Sequence, residues 1–469
     1  MAIGRGYMNL IGAFPLAATL VLTPLAPVSA AAGSAPASAP PSTWVVDRDG
    51  AECSKADFTS IQAAVDAARP RDVIRVCPDL YAESLIVDKP LTLIGEPDEV
   101  EAVDCFNPTV AQPGDADPTR HAIVDPAGDG FTVALRLAAD DIVLAGFVVQ
   151  GASVGVDASD RFSGHRVNHN LIRLNTLFGV DFGSEGARES RVDHNCIREN
   201  RWGLVSELDD DSLWAFPVVG DERAEWNARD LTNARIDHNS TFRNLAGLEA
   251  AGPGHREQVT FDHNLSRADG IGIAIQNSVR SAIVDNEIVS STSGGGSIRL
   301  GGANVDLMIA ANLVTGGQIG ILFRAAGFID VFPRPSRAVV VSGNTVRGIS
   351  GSGINANPGT AEYPGDLHDS LVADNVSSDS GRDGIVLFGA NSGNHLRNNV
   401  TERNGRNGVY AALVVLAGQS FAPTGNIFEG NRMLDNAAFD ARDDAREANT
   451  WTANLCVTDF PAGTICGIA

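Results

Sequence analysis

The chain has 469 residues, 43% of them hydrophobic, 20% charged and 6% aromatic, a globular composition that excludes a disordered protein. Lys and Arg total 35 against 58 Asp and Glu, giving a formal charge of −23. So acidic a balance argues against nucleic-acid binding and against adhesion to anionic membranes, which both need clustered positive charge.

Arg5 is the only charged residue before Asp47, and an apolar stretch runs between them from Met8 to Val28. Val28-Ser29-Ala30 then offers small residues of the kind a signal peptidase prefers. A charged start, an apolar middle and a small-residue exit predict a secretory signal peptide over residues 1–30, cleaved near Ala30. Pro15, Pro24 and Pro27 interrupt the stretch and make it a poor membrane helix. Residues 31–43, rich in Ala, Ser and Pro, read as a flexible linker, and residues 44–469 as one folded domain. Loss of Arg5 with the leader takes the charge to −23 − 1 = −24. No later segment has the roughly 18 uninterrupted apolar residues of a membrane span. The expected product is secreted, to the extracellular space or the cell envelope.

Export makes the six cysteines readable as a disulfide framework. Cys53 and Cys77 lie 24 apart near one end, and Cys456 and Cys466 lie 10 apart near the other. Each pair is a candidate staple against fraying. Cys105 and Cys196 could pair or stay free, and no spacing matches a zinc site.

The middle of the chain repeats one motif. Val167-Asn-His-Asn170 returns as Val192-Asp-His-Asn195, as Ile236-Asp-His-Asn239 and as Phe261-Asp-His-Asn264. Later copies are anchored on Asn286, Asn312, Asn344, Asn375, Asn399, Asn431 and Asn454. The spacings between anchors are 25, 44, 25, 22, 26, 32, 31, 24, 32 and 23 residues. A base period of 22–26 with occasional insertions marks a solenoid. Apolar residues alternate around each anchor, so the elements are strands. A glycine tends to follow eight or nine residues later, as at Gly179, Gly203, Gly320 and Gly384. Three short strands and three turns fit one period, which makes each repeat one coil of a parallel β-helix. The anchor asparagine is expected at a sharp turn, in left-handed backbone, bonded to its neighbours above and below. Asn175, Asn200, Asn244, Asn404 and Asn436 form a second row of the same kind.

These repeats resemble those of the pectin-lyase-like superfamily of right-handed parallel β-helices. The entry segment resembles it too, through Asp57-Phe-Thr-Ser-Ile-Gln62, Asp72-Val-Ile-Arg-Val76 and Lys89-Pro-Leu-Thr-Leu-Ile-Gly95. The resemblance implies an all-β, single-stranded right-handed parallel β-helix with an N-terminal capping helix, followed by a first and a second strand. It says little about activity, because this fold hosts lyases, hydrolases, esterases, epimerases, adhesins and inert scaffolds. The diagnostic motifs of pectin methylesterases, polygalacturonases and alginate epimerases are absent from the sequence. Val192-Asp193-His194-Asn195 resembles a calcium-site fragment of pectate lyases, but its recurrence at Asp237 and Asp262 is explained by the repeat. Asp140-Asp141 precedes a buried strand and reads as a turn.

Charged rows follow from the repeat. Arg166, Arg191 and Arg235 should face outward beside a row of Asp193, Asp237 and Asp262, each row relieving the other's repulsion. His169, His194, His238 and His263 stack in a further row, read as mostly structural. No cysteine or carboxylate recurs at a spacing suited to a transition metal. Three positions after the anchors, Arg173, Arg198 and Arg267 are expected to face outward, where they could bind uronate carboxylates.

The 44-residue gap between Asn195 and Asn239 holds an excess of about 20 residues. It gathers Trp214, Phe216 and Trp226, which could stack on sugar rings, with Asp209, Asp210 and Asp211, which could hold Ca²⁺. A cap over its own apolar patch is the equal alternative. Further inserts run from Arg324 to Arg337 and from Asn355 to Asp369. The leading function from sequence is binding of extracellular, acidic polysaccharide, with or without cleavage. A non-catalytic surface or scaffold protein is the alternative. An enzyme on this pattern would be a polysaccharide lyase or a glycoside hydrolase-like protein, acting as a monomer. No cofactor is required, and Ca²⁺ is the one ion considered.

Overall fold

The computed structural model describes residues 40–96, 105, 116–126, 128, 130–158, 162–205, 231–250, 256–324 and 335–466. The folded unit begins at Pro41, and the expected signal peptide with its cleavage site near Ala30 lies outside the described residues. Thr43, placed at the end of the linker from sequence, is instead the first residue of a strand, Thr43–Val46, paired with Val73–Val76.

The chain winds into a single-stranded right-handed parallel β-helix. Successive coils contribute one strand each to three long sheets, of 16, 13 and 14 strands. The first runs from Thr43–Val46 to Thr450–Thr452, the second from Asp79–Tyr81 to Arg432–Leu434, the third from Leu85–Val87 to Asp459–Phe460. Fourteen steps of about 4.8 Å along the first sheet give a solenoid roughly 67 Å long. Four strands of this sheet precede the first anchored coil.

Helix Ile61–Ala67 caps the first coils with Ile61, Ala64 and Val65 buried against them. Ser60 is its N-cap, accepting from Ala63 N–H, and Glu83 accepts from the N–H groups of Ile61 and Gln62 at 3.0 and 3.1 Å. An acid at a helix N-terminus satisfies orphan donors and complements the dipole.

Inside the solenoid one aliphatic or aromatic residue per coil stacks on the next: Val167, Val192, Ile236, Phe261 and Ile283 are all fully buried. Beside them runs the asparagine ladder. Asn195 Oδ1 accepts from both Asn170 N–H and Asn170 Nδ2 at 3.0 Å, and the same pair of bonds recurs from anchor to anchor up to Asn454. The Nδ2 groups also donate to the carbonyl of the preceding coil, as from Asn195 to Val167 O at 2.8 Å. A buried amide with all its partners is stabilising, at about 1 kcal/mol per net hydrogen bond.

One detail differs from expectation. The left-handed residue is the one before each anchor, not the anchor itself: His169, His194, His238, His263, Asp285, Ala311, Asp374, Asn398 and Ala453 have φ between 53° and 58°, and Gly343 and Gly430 take the remaining turns. The asparagine needs ordinary backbone so that its amide can point into the core and along the stack. All three disulfides form: Cys53–Cys77, Cys456–Cys466 and also Cys105–Cys196. Among the described residues, no helix is long and apolar enough to cross a membrane.

Candidate functional site

The recurring glycine sets the geometry of the third sheet. A Cβ on Gly179 would lie 2.6 Å from the carbonyl oxygen of Gly203, and one on Gly203 2.3 Å from that of Gly247. Only glycine lets adjacent coils close so tightly there. The residue after each glycine is buried inward, as Val156, Val180, Leu204, Leu248 and Ile273 show. By strand alternation the next residue faces out.

Parallel pairing aligns these outward residues in one row: Arg136, Asp157, Asp181, Val205, Glu249, Ala274, Arg299, Leu322, Asn355, Val386, Tyr410 and Arg442. Unlike the asparagine, histidine and arginine rows, this one varies along most of its length, with only Asp157 and Asp181 alike on neighbouring coils. The repeat accounts for a residue that recurs; it does not account for Glu249.

Glu249 lies in strand Ala246–Ala250 and is 6% exposed. Burial pushes its carboxyl pKa up, against the opposing charges of Arg299 and Arg256. Arg299 stands two strands along the row, about 9.6 Å away at the backbone, with only the methyl of Ala274 between. Arg256 opens the strand Arg256–Asp262 and is among the largest fully buried side chains. On the other side of Glu249, Asp181 is buried two strands away. Beyond it Asp157 is paired to Arg136 at 2.9 Å. A carboxyl held towards its protonated form beside two guanidiniums can donate a proton to a substrate whose own anionic group the guanidiniums bind.

A second polar group lies further along the same row. Tyr410 donates to Asp444 Oδ2 at 2.6 Å, and Arg442 Nε bonds Asp444 Oδ1 at 3.0 Å. The guanidiniums of Arg442 and Arg406 lie 4.7 and 5.3 Å from the Tyr410 ring centre. Burial, then the bond to Asp444, pushes the phenol up to about 12.

The first sheet carries the compensated ladder that its sequence predicts, with one correction. Arg166, Arg191 and Arg235 each bind the aspartate of the following coil, Asp193, Asp237 and Asp262. Those aspartates are buried rather than open, because the guanidiniums and the histidine rings lie over them. A polar groove beside this ladder is lined by Glu189, Asn233, Arg235, Gln258, Thr260 and Arg280. Arg235 in it is engaged with Asp262, and Arg280 with Glu257, so both of its arginines already have partners.

Of the residues singled out from sequence, Arg173, Arg198 and Arg267 do fall into one row, separated by Phe242. Only Arg267 is open; Arg173 and Arg198 are 4% and 2% exposed. On the same outer face, Cys105 is bonded to Cys196 and packs with Ile123, Val148 and Leu171. Arg173 is also spent on Gln150, at 3.0 Å. An Arg row open to uronates is therefore not what this sheet presents. Trp214, Phe216, Trp226, Asp209, Asp210 and Asp211 lie outside the described residues. Asp140 and Asp141 are at a turn, with φ 56° at Asp141, and both bind Arg188. Sequence reasoning passed over Glu249, Arg256 and Arg299, although Glu249 sits two residues after a recurring glycine.

No family model matches this chain, and no curated protein sequence does. Solved structures do. The A-module of a mannuronan C-5 epimerase from Azotobacter vinelandii is 12% identical, with 87% of this chain and 91% of that one covered, at a TM-score of 0.38. An alginate lyase from a Paenibacillus species is 15% identical over 68% of this chain and 92% of that one, at 0.37. The Dettilon tailspike protein is 11% identical over 89% and 68%, at 0.39. Such likenesses concern the fold alone, and the β-helix itself is read from this chain's own strand pairing.

Proposed function

We propose that this chain is a secreted protein that binds acidic polysaccharide along the outer face of the third sheet and acts on it at Glu249. The observation that carries the reading is the burial of Glu249 beside the charges of Arg256 and Arg299, at a place in its row where no neighbouring coil supplies the same residue. In this reading the partly exposed Arg299 holds a uronate carboxylate, the buried Arg256 acts on Glu249 from within, and the bound anion raises the Glu249 pKa further. Glu249 then protonates the departing glycosidic oxygen as its bond to the sugar carbon breaks, and water adds to that carbon and returns a proton to Glu249. Three disulfides support an oxidising compartment outside the cytoplasm. The connection 206–230 leaves the row at Val205, one strand from Glu249. We place its Trp214, Phe216 and Trp226 as a sugar platform and its Asp209, Asp210 and Asp211 as Ca²⁺ ligands.

The test is a panel of acidic and neutral polysaccharides, read by ultraviolet absorbance of unsaturated uronates and by new reducing ends. Turnover should fall by about 10²–10⁴-fold in Glu249→Gln, while binding survives. Equal turnover in the variant removes Glu249 from the mechanism. The scaffold reading is favoured by the mutual pairing of the Arg and Asp ladders, which leaves the first sheet little charge to offer a ligand. Absence of turnover and of binding across the panel would establish it.

A further inference from the structure

The histidine row has a geometry that turn-making alone does not require, since Asp285, Asp374 and Asn398 fill the same left-handed slot in later coils. His169, His194, His238 and His263 stack with ring centres 5.0, 4.8 and 5.0 Å apart and planes within 8° of parallel. Three of the rings are pinned from behind. Nδ1 of His194, His238 and His263 lies 2.9, 2.8 and 3.0 Å from Oδ2 of the preceding aspartate.

Each of those aspartates is buried and gripped by an arginine of the coil before. Such a carboxylate accepts a hydrogen bond from Nδ1–H, which leaves Nε2 as the ring's acceptor. A carboxylate behind an imidazole is also the arrangement that orients metal-binding histidines and raises their basicity. The three side chains are 41%, 43% and 51% exposed. No hydrogen bond or ion pair among the described residues occupies their Nε2 atoms.

We propose that this edge is a binding site for a first-row transition-metal ion that favours imidazole, Cu²⁺ or Zn²⁺. The ion sits between the Nε2 atoms of neighbouring histidines, with His238 shared by either pair. Parallel rings repeat each Nε2 at the ring spacing, whereas two metal–nitrogen bonds of about 2.0–2.1 Å span roughly 3.3–4.2 Å. Each ring must therefore lean by about 0.3–0.9 Å, a small torsional movement, with water completing the shell. His169 lacks the backing carboxylate, because Asn168 precedes it, and it stands at the margin of the site.

The experiment titrates metal-stripped full chain with CuCl₂ and with ZnCl₂ by calorimetry, and records the Cu²⁺ electron paramagnetic resonance spectrum. One saturable site with coupling to two nitrogens is expected. His238→Asn should weaken binding by about tenfold or more, whereas His395→Asn, on a distant coil, should leave it unchanged. Asparagine is compatible with the left-handed backbone of His238, as Asn398 shows at φ 54°. If melting curves show His238→Asn misfolded, the double variant His194→Asn with His263→Asn leaves His238 without a carboxylate-backed neighbour and carries the same expectation. Absence of saturable binding overturns the proposal, and so does equal affinity in a folded variant or a spectrum without nitrogen coupling.

Discussion

Arg191 and Asp237 are 46 residues apart in sequence, yet the guanidinium of one grips the carboxylate of the other across a single step between coils. Asp237 has no exposed surface. Burial opposes its ionisation, but the hydrogen bonds from Arg191 and His238 and the charges of Arg191 and Arg235 outweigh it and hold its pKa below the usual 3.8.

Arg191→Ala should therefore cost about 1.5–3 kcal/mol at neutral pH, by leaving a buried carboxylate short of donors. A lowered folded-state pKa means the stabilisation is complete above the ordinary carboxylate value and fades as pH falls through the folded one. Chemical unfolding of wild type and variant near neutrality and again near pH 2–3 tests this. A difference that stays constant with pH would contradict the pairing.

Asp269 behaves in the opposite sense. It takes an asparagine's place in the second ladder, bonded to Asn244, Thr241 and Ser266, and burial pushes its carboxyl up to about 6. Its folded pKa lies above its unfolded one, so its contribution is present at low pH and is lost as pH rises through about 6. Asp269→Asn should raise the melting temperature at pH 8 and flatten the pH dependence between 4 and 7. Serine and threonine hydroxyls can turn to accept from the new amide. A destabilised variant at pH 8 would show that the ionised carboxylate is preferred.

Four anchors, Asn239, Asn264, Asn375 and Asn399, fall in N-x-S/T sequences and are at most 2% exposed. Expression in a glycosylating host should leave them largely unmodified in folded protein, with any modified fraction misfolded. Mass spectrometry of the soluble, cooperatively melting product decides the matter. Efficient glycosylation there would refute the ladder.

For the connection at 206–230, replacing Trp214 and Trp226 by Ala should abolish polysaccharide binding with little change in melting temperature. A cap would instead lose about 3–5 kcal/mol per buried ring. Millimolar Ca²⁺ should raise the melting temperature of the wild type, and the shift should vanish when Asp209, Asp210 and Asp211 become Asn.

What the sequence made legible was whatever repeats. The anchors at Asn170 and Asn195 were visible because one amide serves the same two bonds in every coil. The left-handed turn was misplaced by one residue because that slot accepts His, Asp, Asn, Ala or Gly, and so leaves no single-residue signature. Arg173 and Arg198 were assigned the correct row but the wrong exposure. Strand periodicity says which side of a sheet a residue takes, not what packs over it: Cys105 reaches that same face from 91 residues before its disulfide partner Cys196. Glu249 carries no recurring signal: its neighbours in the row, Val205 and Ala274, are apolar, so it shows only as a break in the pattern two residues after Gly247.

The positions of Cys53–Cys77 and Cys456–Cys466 bear on how such a rod fails under load. An interior coil is zipped on both sides, but an end coil has one neighbour and is where peeling would start, whether by shear or by a protease. One bond joins the chain beside the first strand to the end of the second, and the other closes the last strand's hairpin of chain. With both tips fastened, rupture has to begin in the interior, where three sheets must open together. A molecule built this way should lose its mechanical toughness on reduction well before it loses its coils.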